Sequence, residues 1–185
     1  MKVSELSTIP GWEHGLQALL LDAVNSGASI GFLPPISSAD AAAYWADVES
    51  GLASGQRKLF VAQEGECVIG TVQLSLCRKA NGSHRGEVEK LMVRTDDRGR
   101  GIARALMAHL EQVARQCGLL LLVLDTRLGD VASMLYQSIE FVEAGQIPHF
   151  ARSADGGLDA TVIFYKLLNP KPILGEDDAV KTRGI

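Results

Sequence analysis

The stretch from Gly86 to Leu124 constrains the fold most. A β-branched, apolar segment from about Gly86 to Val93 runs into a glycine–arginine loop. Ile102, Leu106, Leu110, Val113 and Cys117 then recur at helical intervals, and Gly118 precedes the continuous apolar run Leu119 to Leu124. Strand, helix, strand in that order gives a parallel pair, because only a crossover returns the chain to the same edge direction. The unbroken run Leu119 to Leu124 reads as a strand buried on both faces.

Elements on either side follow from shorter signals. Lys2 to Ile9 alternates apolar and polar residues up to Pro10, as a short strand does. Leu16, Leu19, Leu20, Ala23 and Val24 mark a helix stopped by Asn25 and Gly27. Gly27 to Pro35 is a loop, and Ser38 is placed to cap a second helix carrying Ala42, Tyr44, Trp45 and Val48, ending near Gly51 to Gly55. Leu59 to Gln63 and Val68 to Leu76 read as two strands joined at Glu64-Gly65-Glu66, and Asn81-Gly82 is a further turn. Val131 to Ile139 reads as a short helix, and Phe141 to Val142 and Thr161 to Leu167 as the last strands. Hairpins around a central parallel pair make an α/β fold with a mixed sheet and helices on both faces. The expected division is one domain over residues 1–168 and a loose, charged tail over 169–185.

Composition narrows the function classes. A formal net charge of −4 argues against a general nucleic-acid binder, which shows a basic face. No apolar run approaches the roughly 20 residues that span a bilayer, and the first residues have no signal pattern, so a cytoplasmic protein without a membrane partner is expected. The three cysteines, Cys67, Cys77 and Cys117, form no C-x-x-C pair and read as reduced core thiols. His14, His84, His109 and His149 lack metal-ligand spacing, so no metal is expected.

The loop Arg94-Thr95-Asp96-Asp97-Arg98-Gly99-Arg100-Gly101 carries the chemistry. Its glycines let backbone approach a ligand closely. The free N–H groups and dipole of the helix that follows attract phosphate oxygens, and Arg94, Arg98 and Arg100 add cationic donors. The alternative is an ordinary strand–helix turn with solvated arginines. No G-x-x-x-x-G-K-[ST] is present, and Gly99 to Arg104 lacks the third small residue of a dinucleotide fingerprint.

The run resembles the acetyl-CoA loop [RQ]-x-x-G-x-[GA] of the GNAT acetyltransferase superfamily, with Gly99 and Gly101 in the last two fixed positions and Asp96 in the first, where the family has Arg or Gln. A second landmark agrees: Leu124-Asp125-Thr126, then Ala132-Ser133-Met134-Leu135-Tyr136, then Phe141, with Glu140 in place of the family's glycine. The resemblance implies acetyl-CoA as co-substrate. Backbone of Leu91, Met92 and Val93 would hold its pantetheine arm. The loop Arg98, Gly99, Arg100, Gly101, Ile102 and Ala103 would wrap its pyrophosphate. Tyr136 would protonate the leaving thiolate, its alternative being a half-buried aromatic that fastens the helix to the sheet. Strings outside these landmarks, such as Gln73-Leu74-Ser75-Leu76-Cys77 and Lys90-Leu91-Met92, are similar to the tabtoxin-resistance branch of the family, which acetylates a β-lactam phytotoxin.

Such chemistry needs a base, because an alkyl ammonium must lose a proton before it attacks. Glu87, early in one strand of the parallel pair, and Asp125, late in the other, are the candidates, with Glu89 the rival. The resemblance implies that these strands splay where the acetyl group sits. Asp125 reads equally as a cap for the turn Thr126 to Gly129. Glu87 and Glu89 read otherwise as a solvated strand face. The expected acceptor is a small amine-bearing molecule, with a peptide N-terminus as the alternative and a non-catalytic acyl-CoA sensor as a third class. A monomer or homodimer fits, and the Gly27 to Pro35 loop is expected to roof the acceptor.

Overall fold

The computed structural model describes residues 1–168; the expected tail over 169–185 lies outside the described residues. The elements run β1 (Lys2–Leu6), α1 (Glu13–Asn25), α2 (Ser38–Ala53), β2 (Arg57–Glu64), β3 (Cys67–Leu76), β4 (Arg85–Val93), α3 (Ile102–Gln116), β5 (Leu121–Arg127), α4 (Ala132–Ser138), β6 (Val142–Arg152) and β7 (Leu158–Leu167). They build one seven-stranded sheet in the order β1-β2-β3-β4-β5-β7-β6. β4 and β5 pair in parallel and every other neighbouring pair is antiparallel, as the crossover requires.

Strand periodicity sorts the core into two layers. On one face Leu59, Val61 and Met92 meet Leu16, Leu19, Leu20 and Trp45 of α1 and α2. On the other, Phe60, Ile69, Leu122 and Phe164 meet Leu106, Met107 and Leu110 of α3, with Tyr136 of α4 at its margin. Each of these buried aliphatic side chains contributes about 1.5–3 kcal/mol. Gly86 lies under this second layer for steric reasons: a Cβ there would stand 2.6 Å from Leu74 Cδ1 and 2.9 Å from Leu119 Cδ1.

Several expectations are corrected. The cap of α2 is Ser37, one residue earlier: its Oγ accepts from the Asp40 amide at 3.0 Å while the Asp40 carboxylate accepts from the Ser37 amide, a reciprocal capping box. Ala41, not Ala42, joins Trp45 and Val48 inside, because positions i, i+4 and i+7 share one face of the helix. β1 stops at Leu6 rather than Ile9. β5 buries Leu122 and Leu124 on the α3 face, but Leu121 and Val123 are only half covered, because among the described residues the α1/α2 layer does not extend over that part of the opposite face. The cysteines are free but not core: Cys67 and Cys117 are exposed and Cys77 is half-buried. β6 extends from Val142 to Arg152, far beyond the expected Phe141 to Val142; as an edge strand exposed along most of its length it lacks the apolar alternation that would reveal it.

Gly86→Ala is expected to destabilise the protein by about 1–3 kcal/mol through overpacking against Leu74 and Leu119. Urea unfolding of the purified variant checks this, and an unchanged midpoint would show that the two leucines yield freely.

Candidate active site

The parallel pairing of β4 and β5 is brief. Arg85 faces Leu121, Gly86 faces Leu122 and Glu87 faces Val123, and there it ends. β5 stays on β7 as far as Arg127 opposite Thr161, while β4 stays on β3 as far as Val93 opposite Gly70. The two strands therefore diverge as a wedge. On the β3 side the register slips between Thr71 and Gln73, so that Lys90 and Leu91 together oppose Val72. Lys90 takes a left-handed backbone, φ 52°, within this bulge.

A cleft of about 650 Å³ occupies the wedge. Its walls come from β4, from the β5–α4 turn, and from Ser26 to Gly31 after α1; Glu87, Glu89, Arg98, Asp125 and Tyr136 all reach it. The loop expected to roof the acceptor thus contributes its first half, Gly27 to Gly31, as a side wall. A second cavity of about 530 Å³ opens beyond, sharing Glu87, Asp125 and Phe150 with the first. Glu89 reaches only the larger one.

Glu87 and Asp125 reach the same cleft from the two diverging strands. Partial burial raises the Glu87 carboxyl above the ordinary glutamate range, and the nearby charges of Glu89 and Asp125 push the same way, against Lys90 and Arg85. Asp125 does not cap the turn after it. Its Oδ2 accepts from the Thr161 hydroxyl on β7 at 2.8 Å, and the turn is held instead by Asp130, whose Oδ1 accepts from the Ala132 amide at 3.0 Å. Tyr136 is buried as the fastening aromatic would be, and it also faces the cleft. Its ring packs 5.9 Å from Phe141 and from Phe164. Burial, with Asp130 and Asp125 nearby, pushes its phenol well up, so the hydroxyl keeps its proton at neutral pH.

The arginines of the loop divide. Asp97, buried at the turn, takes Arg94 Nε at 2.5 Å and also Arg100, whose other nitrogen reaches Glu64 at 2.6 Å. Arg98 alone of the three turns to the cleft, where it donates to Ser26 Oγ at 2.8 Å. Gly99 and Gly101 are both left-handed, φ 77° and 79°, and a Cβ at either would project into open space. Gly101 opens α3 with no side-chain cap, leaving its first-turn amides exposed. Sequence reasoning missed Phe150 and Thr161, which sit on β6 and β7; a lone exposed phenylalanine and a strand threonine carry no motif.

A mixed sheet split between its parallel strands, with a glycine turn at the mouth, defines a class of acyl-transferring enzymes. The model of the acetyltransferase (GNAT) family matches residues 29–141, and the chain belongs to that family. The chain is 28% identical over 110 residues to the L-amino acid N-acyltransferase MnaT of Escherichia coli, which covers 59% of this chain and 64% of that protein. It is 38% identical over 89 residues to human N-acetyltransferase 8B, 47% of this chain and 39% of that one. The chain therefore spans between about two-fifths and just under two-thirds of the length of these relatives. Among solved structures, the ribosomal-protein-alanine N-acetyltransferase of Brucella melitensis superposes with a TM-score of 0.77 at 22% identity, covering 91% of this chain and 100% of that one. The yncA protein of Salmonella typhimurium, solved with its cofactor acetyl-CoA, superposes at 0.75 with 19% identity over 92% and 96% of the two chains. At these identities the likeness is one of fold. Among the described residues no helix is long and apolar enough to cross a membrane, and no cluster of potential metal ligands occurs.

Asp97 gives a pH prediction. Hydrogen bonds from Arg94 and Arg100 hold its carboxyl below the ordinary aspartate range in the folded chain. Its contribution to stability is thus complete above that range and lost as pH falls through the lower folded value. Thermal unfolding across acid pH should show a shallower slope in Asp97→Asn than in the wild type; parallel curves would remove Asp97 from the acid-sensitive set.

Proposed function

We propose that the protein is an acetyl-CoA-dependent N-acetyltransferase acting on a small amine-bearing acceptor. The observation that carries this reading is the wedge itself: two strand ends part beside an uncapped helix start, with carboxylates on both sides of the opening.

The residues fit the donor. Among the described residues, β4 from Val88 onward has no strand partner on its β5 side, which leaves backbone groups of Leu91 and Val93 for an extended amide-bearing arm. Gly99 and Gly101, with the amides of Ile102 and Ala103, form an anion-binding turn, and Arg98 adds a cation; Arg100 is engaged by Asp97 and Glu64 and serves to shape the turn. Met92 is buried in the α1/α2 core, so only its backbone is offered. When bound, acetyl-CoA supplies an acetyl group activated as a thioester.

The chain's own groups manage protons. Glu87, raised in pKa by burial and by its acidic neighbours, takes the proton that the acceptor's ammonium must lose before its nitrogen can bond carbon. Asp125, oriented by the Thr161 hydroxyl, adds negative charge that draws a cationic amine into the cleft. Tyr136 Oη retains the proton that a departing thiolate needs. A small acceptor suits a cleft walled on several sides. A β-lactam toxin or antibiotic is the finer assignment, and the strings shared with the tabtoxin-resistance branch are its support.

Calorimetry tests the donor site. Gly99→Val with Gly101→Val forces two side chains into left-handed backbone and fills the turn, and should weaken acetyl-CoA binding at least tenfold while the protein stays folded. Unchanged affinity would sink the proposed function.

Kinetics test the proton carriers. Tyr136→Phe should lower kcat by roughly 10²-fold with little change in acetyl-CoA affinity. Because the base must be ionised and its pKa is raised, kcat/KM should climb with pH above the ordinary glutamate range. Glu87→Gln should reduce kcat and flatten that acid limb. Asp125→Asn should reduce kcat and move the limb to lower pH, since a like charge is removed. If Glu89→Gln alone flattens it, the base is Glu89.

A further inference from the structure

Alternate residues of β4 share a face, so Arg85 and Glu87 stand side by side, their Cα atoms about 6.5 Å apart. Both line the smaller cavity, whose floor is Val123 of β5 and Ile163 of β7. Among the described residues no side-chain hydrogen bond or ion pair holds the Arg85 guanidinium, whose charge is felt by Glu87 beside it. Of the other arginines that line the site, Arg127 is paired with Asp130 and Asp159 at 3.6 and 3.8 Å, and Arg98 lies at the glycine turn, where it donates to Ser26. A guanidinium without a hydrogen-bonding partner at the rim of a cavity presents a planar fork matched to a carboxylate.

Phe150 closes the third side. The β6–β7 register slips between Ile147 and Ala151, and His149 inside that irregularity is left-handed, φ 55°. A non-glycine residue in that conformation is strained and persists only where its surroundings enforce it. The result is a phenyl ring, 53% exposed, that lines both cavities beside Glu87 and Asp125. Anion receptor, amine receptor and apolar wall thus meet within the reach of one small molecule.

We propose that the acceptor is an α-amino acid with an apolar side chain: Arg85 binds its carboxylate, Glu87 and Asp125 receive its ammonium, and Phe150, Val123 and Ile163 contact the side chain. The proposal rests on the acyl-transfer reading and makes Arg85 a specificity-determining residue.

Leucine and its decarboxylated counterpart, 3-methylbutylamine, separate the two levels. Thiol release from acetyl-CoA should favour leucine by 10- to 100-fold in kcat/KM, the range for losing one charge-assisted pair. Arg85→Met should bring that ratio within about threefold, with the loss falling on the KM for leucine, and Arg85→Lys should keep part of the preference. Calorimetry of leucine against the wild type and Arg85→Met gives the same comparison without turnover. A wild type that uses the amine as well as leucine overturns the inference, as does a ratio that survives in Arg85→Met. No transfer to either compound, with acetyl-CoA still bound, overturns the amino-acid assignment. Failure to bind acetyl-CoA overturns the acyl-transfer reading beneath it.

Discussion

Three parallel residue pairs between β4 and β5 fix everything that follows in this molecule. The crossover through α3 brings the strands side by side at Arg85 to Glu87. Beyond that point each strand follows a different neighbour: β4 keeps to β3 across a bulge, and β5 keeps to β7. A backbone that loses its partner must find hydrogen bonds elsewhere, from water or a ligand. Parallel strands also place their C-terminal ends at one edge, so the loop to α3 and the turn to α4 converge there. Ligands gather at such an edge in open α/β sheets for this reason. The cleft is a consequence of strand pairing, and the side chains only decide what it holds.

Charge is distributed so that the two ends of the cleft differ. At the loop end, Asp97 absorbs Arg94 and Arg100 and leaves Arg98 with the uncapped start of α3 to face an anion. A single buried carboxylate therefore sets the turn's shape and limits its cationic character. At the strand end, Glu87, Glu89 and Asp125 face the opening, and partial burial, with the charges of the other two beside it, raises the Glu87 carboxyl. The proposed function requires this separation, an anionic donor tail at one end and a cationic amine at the other.

What the sequence reveals follows from how local each signal is. The order of elements, the parallel pair and the glycine turn all rest on contiguous periodicity or on φ requirements, and they are legible. The helix cap slips by one residue because Ser37 and Ser38 both qualify, and only the reciprocal bond with Asp40 decides between them. The meeting of Glu87 with Asp125 was suggested by the family resemblance alone, since register between strands is not written in either strand. The engagement of Arg100 by Glu64 joins residues far apart in the chain, and nothing local announces it. β6 is invisible for a further reason: an exposed edge strand has no buried face to imprint a period of two.

Among the described residues, the three non-glycine residues with left-handed backbone bear on the same geometry. Lys90 lies in the bulge that turns β4 away from β5, and His149 in the irregularity that precedes Phe150. Glu140, φ 67°, follows α4, where a left-handed residue ends the helix and glycine is preferred. Lys166 of β7 accepts the task of a clamp: its ammonium lies 3.6 Å from the Glu140 carboxylate, donates to the Ile139 carbonyl at 2.9 Å and to Glu111 of α3 at 2.8 Å. That clamp joins the end of α4 to the sheet and to α3 at once. Tyr136 of α4 packs against Phe141 and Phe164 beside this clamp. The glutamate that stands where the family has glycine is thus tied, through the same lysine, to α3 and to the strand that carries Phe164.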